Sequence, residues 1–313
     1  MRPRDRQLAQ KLDAALLAFD REVRPLFGIR ASSQRDALIE QLLESTHRVK
    51  YVWVIRNRKL GDCRADPHDE RFDPIKAAII QQRQGRIDEA FWLVFLSVHF
   101  GKNYRAGWRY VREVYGRLGD AGRWDWPSIS SHTSAFRQWL AEHQAELKRS
   151  GVPRGFGNHR KYQSLDAYSP TGTGAAVATY VNWVDPPRTH QELMQQAYES
   201  ADHNPSKAFD MLYRSMHDVA SFGRTARFDY LTMIGNLGMA HIFPGSVYMH
   251  GSTGPLHGAR LLFAGNVDAP LTPRDLDDLL IELDAYLMVG MQVLEDALCN
   301  WQKSPNIFRR FRG

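Results

Sequence analysis

Residues 219–231, VASFGRTARFDYL, decide the reading of this chain. An apolar run ends at Phe222 and Gly223, and a fresh helical pattern starts at once and continues through Leu231. The segment therefore outlines a helix, a tight hairpin and a second helix. Gly223 permits a positive φ or a close approach, and the unsatisfied N–H groups opening the second helix are a natural seat for a phosphate. An ordinary pair of helices separated by a glycine cap reads equally well from this segment alone.

Outward from the hairpin, apolar spacing of three and four residues predicts helices over 8–19, 38–55, 75–84, 87–100, 107–118, 134–147, 190–201, 206–221, 225–235 and 273–301. The helix over 87–100 is nearly all apolar from Phe91 through Val98 and is expected to be central and buried. Between Gly151 and Pro187 glycine, proline, serine and threonine gather and the periodicity fails. That stretch also carries Phe156, His159, Tyr162, Tyr168, Tyr180 and Trp183, too many aromatics for a linker, so it is expected to be an irregular loop lining a pocket. The expected fold is mainly α, one bilobed helical unit over 1–313 with lobes near 1–150 and 188–313.

The formal charge is +6, and it is segregated. Residues 1–64 hold fourteen Lys/Arg against eight Asp/Glu, residues 101–162 hold twelve against five, and residues 263–301 hold Arg274 alone against eight acids. Helix faces that differ in sign would explain this, and so would a one-sided surface for a polyanion such as DNA. Cys63 and Cys299 are the only cysteines, which excludes a disulfide framework and a four-cysteine zinc or iron–sulfur site. The N-terminal stretch lacks the apolar run of a signal peptide, and no run approaches the ~18–20 apolar residues of a membrane span. A soluble cytoplasmic protein with no membrane association and no obligatory protein partner is expected. No metal is expected either, because the twelve histidines form no paired-ligand spacing. A deaminase signature and a Walker loop are also missing.

Three further segments have the composition of a site. Residues 155–162, GFGNHRKY, alternate glycine and aromatics around His159, Arg160 and Lys161, which suits close approach to an extruded nucleotide, stacking on it and pairing with its phosphates. Here Phe156, Asn158 and Tyr162 are candidates for the base and Arg160 and Lys161 for phosphate; a solvated basic loop is the plainer alternative. His99 and Asn103, where the buried helix ends, can form a pocket wall, although a buried structural His99 is a fair rival. Residues 251–260, GSTGPLHGAR, resemble a phosphate-binding turn at a helix start, with His257 and Arg260 as ligands. The tail, Phe308-Arg309-Arg310-Phe311-Arg312, is either a phosphate contact or a docked end.

The hairpin resembles that of the helix-hairpin-helix DNA glycosylases through Gly223, Thr225, Ala226 and Leu231, followed by a proline turn at Ile242-Phe243-Pro244-Gly245-Ser246-Val247-Tyr248. No lysine stands in Arg224-Thr225-Ala226, and Gly245-Ser246 occupies the place of the expected aspartate. The resemblance therefore implies no Schiff-base chemistry and a carboxylate from elsewhere, for which Asp229, one turn into the second helix, is the candidate. Beyond the hairpin, the chain resembles the alpha-glutamyl/putrescinyl thymine pyrophosphorylase family, clade 3, through Phe91-Trp92-Leu93-Val94-Phe95, Gly101-Lys102-Asn103, the 155–162 segment and the 251–260 segment. These resemblances imply a cofactor-free enzyme acting on a modified pyrimidine of phage-type duplex DNA. One implied chemistry is excision of a hydroxymethylated or glucosylated base to leave an abasic site, a defence activity. Asp229 and His159 would be catalytic, Ser246 and Tyr248 would join the base pocket, and Gly223, Arg224 and Arg227 would join the phosphate clamp. The alternative is a transferase that displaces pyrophosphate from an activated hydroxymethyl pyrimidine, and a non-catalytic DNA-binding module is a third reading.

Overall fold

A computed structural model of the chain describes residues 5–149, 151 and 153–310. Among them lie fourteen α-helices and no β-strand, so the fold is mainly α. Contacts divide the chain into two compact units, one from the segments up to Trp53 and from Pro244 onward, the other Val54–Phe243. The division thus falls at 53/54 and 243/244, whereas the lobes expected from composition meet near 150 and 188.

The first unit contains α1 (Arg6–Glu22), most of α2 (Ser32–Arg56), α12 (Gly254–Ala264), α13 (Pro273–Leu287) and α14 (Met291–Trp301). Leu12, Leu16 and Phe19 of α1 bury one stripe against Phe263, Leu276, Leu280 and Leu283, and Trp301 is fully enclosed. Phe19 meets the ring of Tyr286 edge-on at 5.5 Å. Glycine brings α12 onto α14: a Cβ at Gly258 would stand 2.3 Å from the Leu298 carbonyl oxygen. The single helix expected over 273–301 is two. Met288 and Gly290 take positive φ, and the Asp284 carboxylate accepts the Val289 and Gly290 N–H groups at 2.9 Å, ending α13. The tail is docked as far as it is described, with Arg310 on Glu44 at 2.9 Å and the Arg309 carbonyl accepting from Gln41; Phe311 and Arg312 lie outside the described residues.

The second unit holds α3 (Pro74–Arg83), α4 (Ile87–Phe100), α5 (Arg109–Tyr115), α6 (Trp126–Ser131), α7 (Thr133–Leu147), α8 (Thr173–Val184), α9 (His190–Ser200), α10 (Pro205–Ser215) and α11 (Arg224–Asn236). As its composition predicts, α4 is central, with Ala90 to Leu96 wholly buried. Asp88 and Glu89 in its first turn complement the helix dipole. The 151–187 segment is irregular only in its first half, because α8 occupies its second. Glycine misleads the pattern there: Gly174 is needed for contact, since a Cβ would stand 2.0 Å from the Ala167 carbonyl oxygen. Asp125 caps α6, accepting from the Ser128 N–H at 3.1 Å, in a region whose pattern reads as loop. No helix among the described residues is long and apolar enough to cross a membrane.

Candidate active site

Within the second unit the central helix ends at Gly101 with φ +65, and the 155–160 loop crosses that end. The Gly157 N–H donates to the Phe100 carbonyl at 2.8 Å, and a Cβ at Gly157 would stand 2.9 Å from the Gly101 backbone. Glycine at both positions lets two backbones touch. A short 3-10 turn, Asn158–Arg160, follows and directs Arg160 inward. Its buried guanidinium donates through Nε to the Val98 carbonyl at 2.7 Å and through Nη2 to Asp229 Oδ2 at 3.0 Å. The Asp229 side chain, one turn into α11, stays 47% exposed. The helix expected over 206–221 stops at Ser215, and a 3-10 turn (Met216–Asp218) and five non-helical residues lead to α11 in place of a tight hairpin. Loop and α11, 69 residues apart in sequence, combine to present a carboxylate that is anchored on one side and 47% exposed. A buried arginine fork fixes such a group more firmly than an exposed lysine can.

Other expected site residues divide sharply. Asn158, His159, Lys161 and Tyr162 are exposed on the same loop, Tyr162 at 89%, with the Lys161 ammonium 5.0 Å from its ring centroid. Phe156 turns inward, stacking on Phe100 at 5.5 Å and meeting Tyr110 edge-on, so it packs the loop down and is not presented to a base. Asn103 spends its amide on the Phe156 carbonyl and its carbonyl on the Arg105 and Ala106 N–H groups, which fixes the loop. His99 is enclosed between Phe95 and Phe222, with Nε2 2.9 Å from the Thr173 hydroxyl. Burial, helped by the charge of Arg160, pushes His99 down to about 3 and keeps the ring neutral. It lies behind the surface as a structural group.

The phosphate clamp is corrected in the same way. Arg160 is committed to Val98 and Asp229. Arg224 is buried over the Phe228 ring, and Arg227 sits over the Tyr213 ring while donating to the Tyr213 carbonyl. Gly223 keeps an ordinary φ of −67, and nothing lies within 4 Å of a Cβ placed there, so the start of α11 is open. In the first unit Arg260 donates Nε and Nη2 to the Leu271 carbonyl, and Ser246 donates to Asp277 and accepts the Tyr248 N–H. The glycines of the 251–260 segment mainly serve packing: a Cβ at Gly254 would stand 2.6 Å from Cys299 Sγ. Half-buried His257 belongs to the same helix.

Sequence reading misses a second polar constellation in this unit. Asp88 Oδ1 stands 2.7 Å from His190 Nδ1, His190 Nε2 stands 2.7 Å from the Tyr180 hydroxyl, and that hydroxyl lies 2.9 Å from Tyr230. Burial pushes His190 down against the pull of Asp88. Burial also pushes Asp88 up, but the His190 hydrogen bonds outweigh it and hold the carboxyl below its ordinary value. Beside them the Glu89 carboxyl accepts from Tyr115 Oη and the Trp126 N–H, and burial raises it to about 7. Asp88, Glu89, Arg86, Arg123 and Trp126 line a cleft of about 520 Å³. The adjacent acids at 88–89 are the available signal, and a helix-start reading absorbs them. Among the described residues no group of three His, Cys, Asp or Glu can hold a metal ion.

No curated protein and no solved structure matches the chain. A family match does cover most of it: over residues 33–313, which take in α4, the 155–160 loop and α11, the chain belongs to the alpha-glutamyl/putrescinyl thymine pyrophosphorylase clade 3 family.

Proposed function

We propose that this chain is a monofunctional DNA glycosylase that excises a hydroxymethylated or glucosylated pyrimidine from phage-type DNA. The observation that carries the reading is the Asp229 carboxylate of α11, held by buried Arg160 and open to solvent. As the C1′–N1 bond breaks, its electron pair leaves with the base and positive charge develops on the sugar, where a fixed carboxylate stabilises it. Water then adds to C1′, Asp229 accepts its proton, and the proton passes on to the departed base. On this reading His159 and Tyr162, both exposed on the neighbouring loop, would read the base. Abasic sites in modified phage DNA would block its replication, an antiviral role in the cytoplasm.

The family description favours a second reading, in which an amine displaces pyrophosphate from an activated hydroxymethyl pyrimidine. There Asp229 would take the proton of the attacking amine. Purified protein is incubated with glucosylated or hydroxymethylated DNA, without nucleotide or metal, then treated with alkali and run on a denaturing gel. Alkali-dependent breaks with release of the modified base are expected. Intact strands, together with pyrophosphate release from DNA bearing pyrophosphorylated hydroxymethyl pyrimidine in the presence of an amine, would replace the first reading with the second.

A further inference from the structure

Beside the candidate site lies a pocket of about 420 Å³ between the 64–76 segment, the 102–112 segment and Pro153. Seven of its lining residues are Lys or Arg, and two, Glu70 and Asp73, are acids. Local pairing leaves much of this charge uncompensated. Lys76 is held by Asp73 at 3.1 Å, Arg71 by Asp69, and Arg109 by Glu113, but Glu113 is shared with Arg154. Among the described residues Arg64, Lys102, Arg105 and Arg112 form no ion pair. Like charges gathered in one concavity repel, and a bound anion removes that cost. Exposed Tyr104 shares this edge, its ring centroid 5.1 Å from the Arg105 guanidinium.

The pocket is joined to the candidate site through one short piece of backbone. Lys102 follows Gly101, whose backbone touches Gly157, and Asn103 ties the 103–107 turn to the Phe156 carbonyl at 3.0 Å. The same loop ends at Arg160 and its contact with Asp229.

We propose that this pocket is a backbone-phosphate site that grips the DNA strand flanking the target nucleotide. The inference rests on the reading that DNA is the substrate and does not depend on which reaction follows. Phosphate oxygens are the ligand chemistry; exposed Tyr104 at the rim, able to lie against a sugar or base, favours a polynucleotide over a free pyrophosphate.

The test uses the full chain carrying Lys102→Gln, Arg105→Gln and Arg112→Gln, with Lys102→Gln alone as a milder variant. Binding to an unmodified duplex is measured across a range of salt concentration, and thermal unfolding checks the fold. Every phosphate that is no longer neutralised lowers the slope of log affinity against log salt by ~0.9, so the triple variant should drop by roughly 2–3 in slope and the single variant by about 1. Unaltered slopes in folded variants overturn the proposal. Binding of inorganic pyrophosphate that the variants abolish, with DNA binding intact, overturns the DNA assignment in favour of a leaving-group site. A lowered slope in a protein that releases no base sinks the excision reading and leaves this one standing.

Discussion

Two glycine-rich segments with nearly the same chemistry, 155–162 in the larger unit and 251–260 in the smaller, do opposite things. Each combines glycine, a histidine and arginine; 155–162 reads as a loop that approaches an extruded nucleotide and 251–260 as a phosphate-binding turn. In 251–260 two of the three glycines are consumed by helix packing, Gly258 against the Leu298 carbonyl and Gly254 against Cys299, while Gly251 turns the chain at φ +74, and Arg260 closes onto the Leu271 carbonyl. In 155–162 the glycines let the loop ride on the end of α4, and the arginine reaches a carboxylate that is still half open to solvent. Glycine spacing therefore reports close approach, and only the identity of the approached atom says whether the approach builds a core or a site.

Removing the carboxylate tests that distinction hardest. Asp229→Asn keeps an acceptor for Arg160 but no charge for the sugar, so base release should fall by ~10²–10⁴ while the fold persists. Retained excision would move the chemistry elsewhere, with the cleft lined by Asp88 and Glu89 the next place to look.

The contrast sharpens with paired glycine substitutions. Gly258→Val forces a branched side chain onto the Leu298 carbonyl and should cost about 3 kcal/mol or more in stability, read by chemical denaturation. Gly157→Ala must shift the loop off the Gly101 backbone, so base release should fall at least tenfold with a smaller stability loss, ~1–2 kcal/mol. The reverse ranking would undo the comparison. Arginine gives a weaker version: Arg160→Lys cannot serve Val98 and Asp229 together and should cost ~1–2 kcal/mol, against under about 1 kcal/mol for Arg260→Lys, whose two donors meet one carbonyl.

The helical fold is legible in the sequence because its signal is local. The buried run from Phe91 to Val98 announces a central helix wherever it lands, and Thr272 with Asp275, or Thr189 with Glu192, are complete caps in the sequence. What escapes is non-local or ambiguous. Gly174 looks like a breaker until the Ala167 carbonyl beneath it is known, which is why the pattern over α8 reads as loop. Asp229 stands out by its place on the hairpin helix, but its partner Arg160 reads as a phosphate ligand, because nothing in a linear reading tells an inward arginine from an outward one. The Asp88–His190–Tyr180–Tyr230 chain is illegible for the same reason: its members lie far apart in sequence, and only packing around α4 brings them together.

Two buried groups at opposite ends of α4 give the smallest effect. His99 sits at about 3 in the folded protein against an ordinary 6.5, so between those values the unfolded chain binds more protons and stability rises with pH; the contribution is full above 6.5 and drains away as pH falls. Glu89 runs the other way. Its folded value of about 7 lies above the ordinary 4.5, so its contribution is full below 4.5 and is lost as pH rises through 7. Between pH 4.5 and 6.5 these two slopes oppose, each limited to ~1.4 kcal/mol per pH unit, and buried His190, also held below its ordinary value, adds to the rising side. His99→Phe removes its share of the rising component, so the variant's stability should climb less steeply with pH than the wild type's between 4.5 and 6.5. Glu89→Gln removes the falling one and should leave a profile that climbs from pH 4.5 to 6.5. Denaturation midpoints across pH 4–8 read both, and parallel profiles for the two variants would mean that neither group changes its proton affinity on folding.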